Sequence, residues 1–124
     1  MLYIDMADGP QVSSVMMNMR KDNLVIGQIW LIPQSIHLYQ VHLSEVIPKE
    51  RGHTLDFLKE AMRVGFYTMD KMEKLIAIIP VNNTLAIKLT KACKFKKEGT
   101  LKKSYMQDGK LIDQVIYTFS RENL

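Results

Sequence analysis

Residues Ser44 to Asp70 read S-E-V-I-P-K-E-R-G-H-T-L-D-F-L-K-E-A-M-R-V-G-F-Y-T-M-D, and this stretch decides the fold. An extended segment ends at Val46-Ile47, and Pro48, which cannot donate to a strand ladder, breaks it. Arg51-Gly52-His53-Thr54 then makes a tight connection, with Gly52 supplying backbone freedom that other residues lack. Leu55, Leu58, Met62, Phe66 and Met69 follow at spacings of three and four, the pattern of one apolar helix face. The stretch therefore predicts strand, phosphate-sized loop, helix. First-turn amides and the helix dipole make such a joint a ready anion site, although most joints of this kind bind nothing.

Composition narrows the setting. The 124 residues suit one domain, 1–124, with 47% hydrophobic and 24% charged residues, as in ordinary globular proteins. No apolar run reaches the length of a membrane span, and a single cysteine, Cys93, fits a reducing compartment. The expectation is a cytoplasmic protein without membrane contact, and Cys93 reads as a small buried hydrophobe. His37, His42 and His53 lack ligand spacing, so no metal is expected. The net charge of +4 is local, because seven lysines between Lys88 and Lys103 stand against one acid, Glu98. That run reads either as a solvated face or as an attraction for a phosphorylated ligand or an acidic partner. Nucleic acid is disfavoured, since no arginine cluster or aromatic platform accompanies the lysines.

The other elements follow in order. Val12 to Arg20 fits either a strand or a short helix, and the strand is preferred because a hairpin partner follows: Asp22-Asn23 reads as a turn and Leu24 to Ile32 as a second strand with Gly27 at a bulge. Ile36 to Ile47 alternates as a third strand, and Leu75 to Val81 is a continuous apolar run expected to be buried on both faces of a parallel pair. Asn83 is an N-cap for a helix over Thr84 to Ala92. Phe95 to Ser104 and Leu111 to Ser120 form a closing hairpin around Asp108-Gly109. The fold class is α/β (α+β): a mixed, mostly antiparallel sheet with a central β-α-β unit. In such units the ligand crevice lies beyond the carboxyl ends of the strands.

Three stretches resemble the GNAT superfamily of N-acetyltransferases. V-I-P-K-E-R-G-H is similar to the family's exit from its central strand. N-x-x-A-x-x-L-x-x-x-x-K-F-x-x-E-G, from Asn83 to Gly99, is similar to its asparagine, small residue, leucine and Glu-Gly pattern. G-K-L-I-D-Q-V-I-Y-T-F-S-R resembles the final strand, with Asp113 and Tyr117. The match runs from about residue 24 to residue 121 and looks nearest to the ribosomal-protein N-acetyltransferase branch and to small GNAT-like proteins of tailed phages. The chain departs from the pattern too. The two loop glycines fall at Thr54 and Asp56, or in an offset frame at Gly52 and Thr54. The tyrosine acid position is Thr90, the serine of the ribosomal-protein branch is Ala86, and Lys94 replaces a glycine. The domain is abbreviated at the N-terminus, leaving little room for the family's first strand and two helices.

The resemblance implies transfer of acetyl from acetyl-CoA to an amine. It implies that Val46, Ile47, Arg51, Gly52, His53, Thr54 and Asn83 bind the cofactor. Glu45 is the candidate base, against a plain reading as an ion-paired carboxylate, and His42 is an alternative from the other strand face. Asn83 is equally explained as an N-cap. A small-molecule amine, a protein N-terminus or a lysine could be the acceptor. The rival reading is a catalytically degenerate GNAT-fold protein of a phage virion or its assembly. A homodimer capping an exposed sheet edge is a further expectation.

Overall fold

The computed structural model describes residues 14–44, 46 and 48–124. The elements are β1 (Val15–Lys21), β2 (Leu24–Pro33), β3 (Leu38–Leu43), a 3-10 helix (Pro48–His53), α1 (Thr54–Thr68), β4 (Lys74–Pro80), α2 (Thr84–Ala92), β5 (Lys96–Gln107), β6 (Lys110–Ser120) and a last 3-10 turn (Arg121–Asn123). The six strands form one sheet in the order β1-β2-β3-β4-β6-β5. Among the described residues only β3 and β4 pair in parallel. The predicted mixed, mostly antiparallel sheet with a central β-α-β unit is therefore present. Any part of the N-terminal strand before residue 14 lies outside the described residues, as do Glu45 and Ile47.

Local chemistry accounts for the hairpins. Asp22 takes a φ of 55° between β1 and β2, and Asp108 and Gly109 take 50° and 77° between β5 and β6. These are the left-handed values that tight two-residue turns demand and that Asp and Gly tolerate. In β2 the register slips by one against Met19/Arg20, next to Gly27. Gly27 has a further reason: a Cβ there would lie 3.1 Å from Val46 Cγ2.

The crossovers β3–α1–β4 and β4–α2–β5 advance the same way across the sheet, which puts both helices on one face. That face is the core: Ile29 and Leu31, Tyr39, Leu75, Ala77, Ile79, Val115, Tyr117 and Phe119 are buried. Phe66 of α1 is 1% exposed and sits 5.8 Å from the Phe119 ring, which also meets Phe95 at 5.7 Å. Burying such a side chain contributes about 2–3 kcal/mol. Gly65 lets α1 approach β2 closely, since a Cβ there would stand 2.9 Å from Leu31 Cδ1.

The expectation that β4 is buried on both faces is corrected. Leu75, Ala77 and Ile79 are buried, whereas Ile76, Ile78 and Pro80 on the other face are only half-buried. Both helices cover the first face, and among the described residues no helix covers the second. No described helix is long and apolar enough to cross a membrane.

The far end of the chain fixes α1. Arg121 Nε donates to Met72 O at 2.9 Å, Nη1 to Phe66 O at 2.8 Å and Nη2 to Met69 O at 2.7 Å, with the guanidinium 5.1 Å from the Phe66 ring centroid. Carbonyls orphaned where α1 ends thus find their donors. The opposite end of α1 is held at the sheet's carboxyl edge.

Candidate functional site

The parallel ladder between β3 and β4 is short, running from Leu38↔Lys74 to Gln40↔Ile76. Beyond those rungs β3 continues to Leu43 and β4 to Pro80 without pairing to each other. A cleft of about 490 Å³ occupies the gap. Val41 and Leu43 face Ala77 and Ile79 across it, α1 supplies Thr54 and Leu58, and α2 supplies Leu85, Ala86, Leu89 and Thr90. His42, Ser44, Ile78 and Pro80, of the opposite strand parity, line it too. Residues of both strand parities therefore border the cleft where β3 and β4 part.

The cleft brings together Val46, Arg51, Thr54 and Asn83 of the predicted cofactor residues. Val46 is buried where β3 leaves the sheet. Ser44 holds that exit: its hydroxyl donates to Gln28 O at 3.0 Å and accepts from Gln28 N at 2.9 Å. Thr54 opens α1 and is 4% exposed. Asn83 caps α2, its side chain accepting from Ala86 N at 3.2 Å. The N-cap role foreseen for Asn83 is filled, and the residue still reaches the cleft.

Gly52 and His53 do not line the cleft, and Glu45 and Ile47 lie outside the described residues. The expected tight loop is instead the 3-10 helix Pro48–His53. Such a helix pairs each amide with the carbonyl three residues back, so amides read as an open cradle serve the turn itself. Gly52 has no positive φ, and a Cβ there would meet nothing within 4 Å. The backbone freedom argued for Gly52 is not used. The turn is anchored by Glu50, 7% exposed, which receives Lys21 Nζ at 3.2 Å and lies 3.4 Å from His53 Nε2. His53 thus faces Glu50. At α1 there is no side-chain cap, and Asp56 in its first turn is exposed and outside the cleft lining.

Thr90 and Ala86, the positions aligned by resemblance with the family's tyrosine and serine, both line the cleft. Thr90 Oγ1 donates to Ala86 O at 2.7 Å. No tyrosine lines the cleft among the described residues. Leu58, Leu85 and Leu89 were legible only as helix-face apolar residues, because periodicity marks such a face without saying what covers it. Cys93 is 5% exposed, and burial pushes its thiol up, against a smaller opposing influence of Lys59. It packs as a core residue.

The lysine run lies elsewhere. Lys96, Lys97, Lys102 and Lys103 are exposed on β5, the edge strand, whose register shifts at Lys97/Gly99 and again at Leu101/Tyr105. Lysines and bulges together blunt an edge against further strand pairing. Glu98 in their midst accepts from Lys74 at 2.7 Å and from Thr118 at 2.6 Å, and these contacts, Lys74 first, hold its carboxyl below the ordinary range. Among the described residues no group of three His, Cys, Asp or Glu could hold a metal ion.

By sequence, the chain matches no family model and no curated protein. Solved structures match it in shape. A mutant of the spermidine N-acetyltransferase SpeG from Vibrio cholerae superposes with a TM-score of 0.81 at 18% identity, covering 89% of this chain and 67% of that one. A chimera of the same enzyme with hSSAT gives 0.79 at 20% identity, covering 89% and 71%. A GNAT-family acetyltransferase from Bacillus anthracis gives 0.72 at 22% identity, covering 82% and 61%. The chain spans about two thirds of the length of these proteins. With the splayed parallel pair and the cleft between its two helix starts, the likeness identifies the fold of this chain as that of the GNAT acetyltransferases.

Proposed function

We propose that the protein is an N-acetyltransferase that moves acetyl from acetyl-CoA to an amine. The observation that carries this is the cleft where β3 and β4 part, lined by both strands and by α1 and α2. Its residues fit the co-substrate. Past Gln40 and Ile76 the facing edges of β3 and β4 carry backbone groups that the sheet ladder does not consume, suited to an extended amide-bearing arm. Val41, Leu43, Ala77 and Leu89 supply apolar walls, and Arg51 supplies a positive charge suited to a pyrophosphate.

In the reaction the amine nitrogen attacks the thioester carbonyl carbon and the carbon–sulfur bond breaks. The amine's proton goes to Glu45 and is passed on, through water, to the leaving thiolate, giving amide and thiol and restoring the carboxylate. The shape of the solved acetyltransferases supports this reading. Incubation with acetyl-CoA and amines, read by thiol release and product mass, tests it. Glu45→Gln is expected to lower turnover by about 10²–10⁴ with acetyl-CoA affinity unchanged. Undiminished turnover would remove Glu45 from the role.

A second reading, an assembly protein of a phage acting through contacts, has one observation in its favour. The β5–β6 hairpin overhangs the sheet and exposes Leu101, Tyr105, Met106 and Leu111. A homodimer would use β1, the edge without the lysine run. A monomer mass in solution would contradict that arrangement.

A further inference from the structure

The segment that joins β3 to α1 is braced by the β1–β2 hairpin. At its start Ser44 N donates to Gln28 O at 2.9 Å, besides the two hydroxyl contacts with the same residue, and Val46 lies over Gly27. At its end Lys21, the last residue of β1, brings Nζ to 3.3 and 3.2 Å from the two carboxylate oxygens of Glu50. His53 Nε2 lies 3.4 Å from the second of those oxygens. Lys21, Asp22, Asn23, Leu24 and Glu50 also border an open hollow, so the ion pair spans a place that packing leaves unfilled.

Three residues per turn divide the 3-10 helix Pro48–His53 into distinct sides. Glu50 and His53, three apart, stack on one side. Arg51 and Thr54, also three apart, come round by about 120° and line the cleft. Whatever sets the rotation of Glu50 therefore sets that of Arg51 and Thr54. Glu50 is 7% exposed, and a buried carboxylate is held in place by the groups that compensate its charge. The Lys21 ammonium reaches it across 29 residues of sequence.

We propose that Lys21 and Glu50 are positioning residues for acetyl-CoA, their ion pair setting the rotation of the 3-10 turn so that Arg51 and Thr54 face the pyrophosphate. The inference rests on the acetyl-transfer reading. Neither residue lines the cleft, so the pair acts through the turn and not by contact with the ligand. With the pair broken, the turn must be fixed at the moment of binding, and that ordering cost is subtracted from affinity.

Calorimetric titration of the full chain and its variants with acetyl-CoA tests this. Lys21→Met should raise the Kd about tenfold, and Lys21→Arg, which keeps a cation on a long stem, should hold it within about threefold of the unmodified value. Glu50→Gln should weaken binding by a factor similar to that of Lys21→Met. The double variant Lys21→Met/Glu50→Gln should bind no more weakly than either single one, because all three break the same contact. Should Lys21→Met fold poorly with Glu50 left less compensated, the double variant, which buries no such charge, carries the same tenfold expectation, flagged as about one order of magnitude. Arg121→Lys loosens the other end of α1 and should leave the Kd within about twofold while melting lower, which separates positioning from a general loss of stability. Unchanged affinity in both Lys21→Met and the double variant, or additive losses in the double variant, overturns the positioning role. No binding by the unmodified chain would instead remove the transferase reading, and the positioning role with it.

Discussion

On the Gln40 and Ile76 side of the β3–β4 pair, the two strands share a ladder and their side chains close into the core; past those rungs they part. In the closed half Tyr39 stands beside Leu75, and Leu75 beside Phe119, with the ring of Phe66 over them. In the open half the same alternation continues through Val41, Leu43, Ala77 and Ile79, yet the space between the strands is a cleft. Similar residue types thus do different work on the two sides of one rung. The difference lies in what enters each end. The closed half is locked by Arg121, and the open half is where β3 leaves through Ser44 and Val46 into the 3-10 turn.

The comparison breaks most visibly in the closed half. Phe66→Ala should cost about 3–5 kcal/mol of stability, because the side chain is fully buried between α1 and Phe119. Thermal and denaturant unfolding measure it, and a loss below about 1 kcal/mol would mean that the half is not closed. Arg121→Lys keeps the charge but cannot serve three carbonyls in a planar fork, so about 2 kcal/mol should be lost. Full retention of stability would contradict the lock.

A smaller effect tests the far sheet face. The Glu98 carboxyl is held below its ordinary range by Lys74 and Thr118. A group with a depressed folded value adds stability above its unfolded value and loses it as the pH falls through the folded one. Between about pH 5 and pH 3 the unmodified chain should therefore lose slightly more Tm than Glu98→Gln does. Identical pH profiles would remove the contribution of that contact.

Much of this contrast was legible in the sequence where the causes are local. Asp108-Gly109 fixed the closing hairpin through left-handed φ values, and Asn83 announced α2 by its capping oxygen. The apolar spacing of Leu58, Met62 and Phe66 placed α1. Less legible was anything decided by distant partners. Arg121 binds carbonyls 49 to 55 residues away, which no local pattern marks. Leu75 to Val81 reads as uniformly apolar whether or not a helix covers both faces, so the half-open face of Ile76 and Ile78 escaped notice. The glycine in Arg51-Gly52 suggested a loop, while Glu50, held by Lys21 across the fold, supports a 3-10 turn instead.

The site divided along the same line. Val46, Arg51, Thr54 and Asn83 reached the cleft because the β-α-β order itself directs them to the carboxyl edge. Gly52 and His53 did not, because the turn carries them to its outer side.

The central claim is that the open half holds acetyl-CoA between β3 and β4. Calorimetric titration of the purified chain with acetyl-CoA, repeated on Ala86→Trp, tests it most directly, because the half-buried Ala86 lines the cleft from the first turn of α2. The account predicts micromolar binding by the unmodified chain and none by the variant, with the two melting within about 4 °C of each other. No binding at millimolar acetyl-CoA, or equal binding by Ala86→Trp, would contradict it.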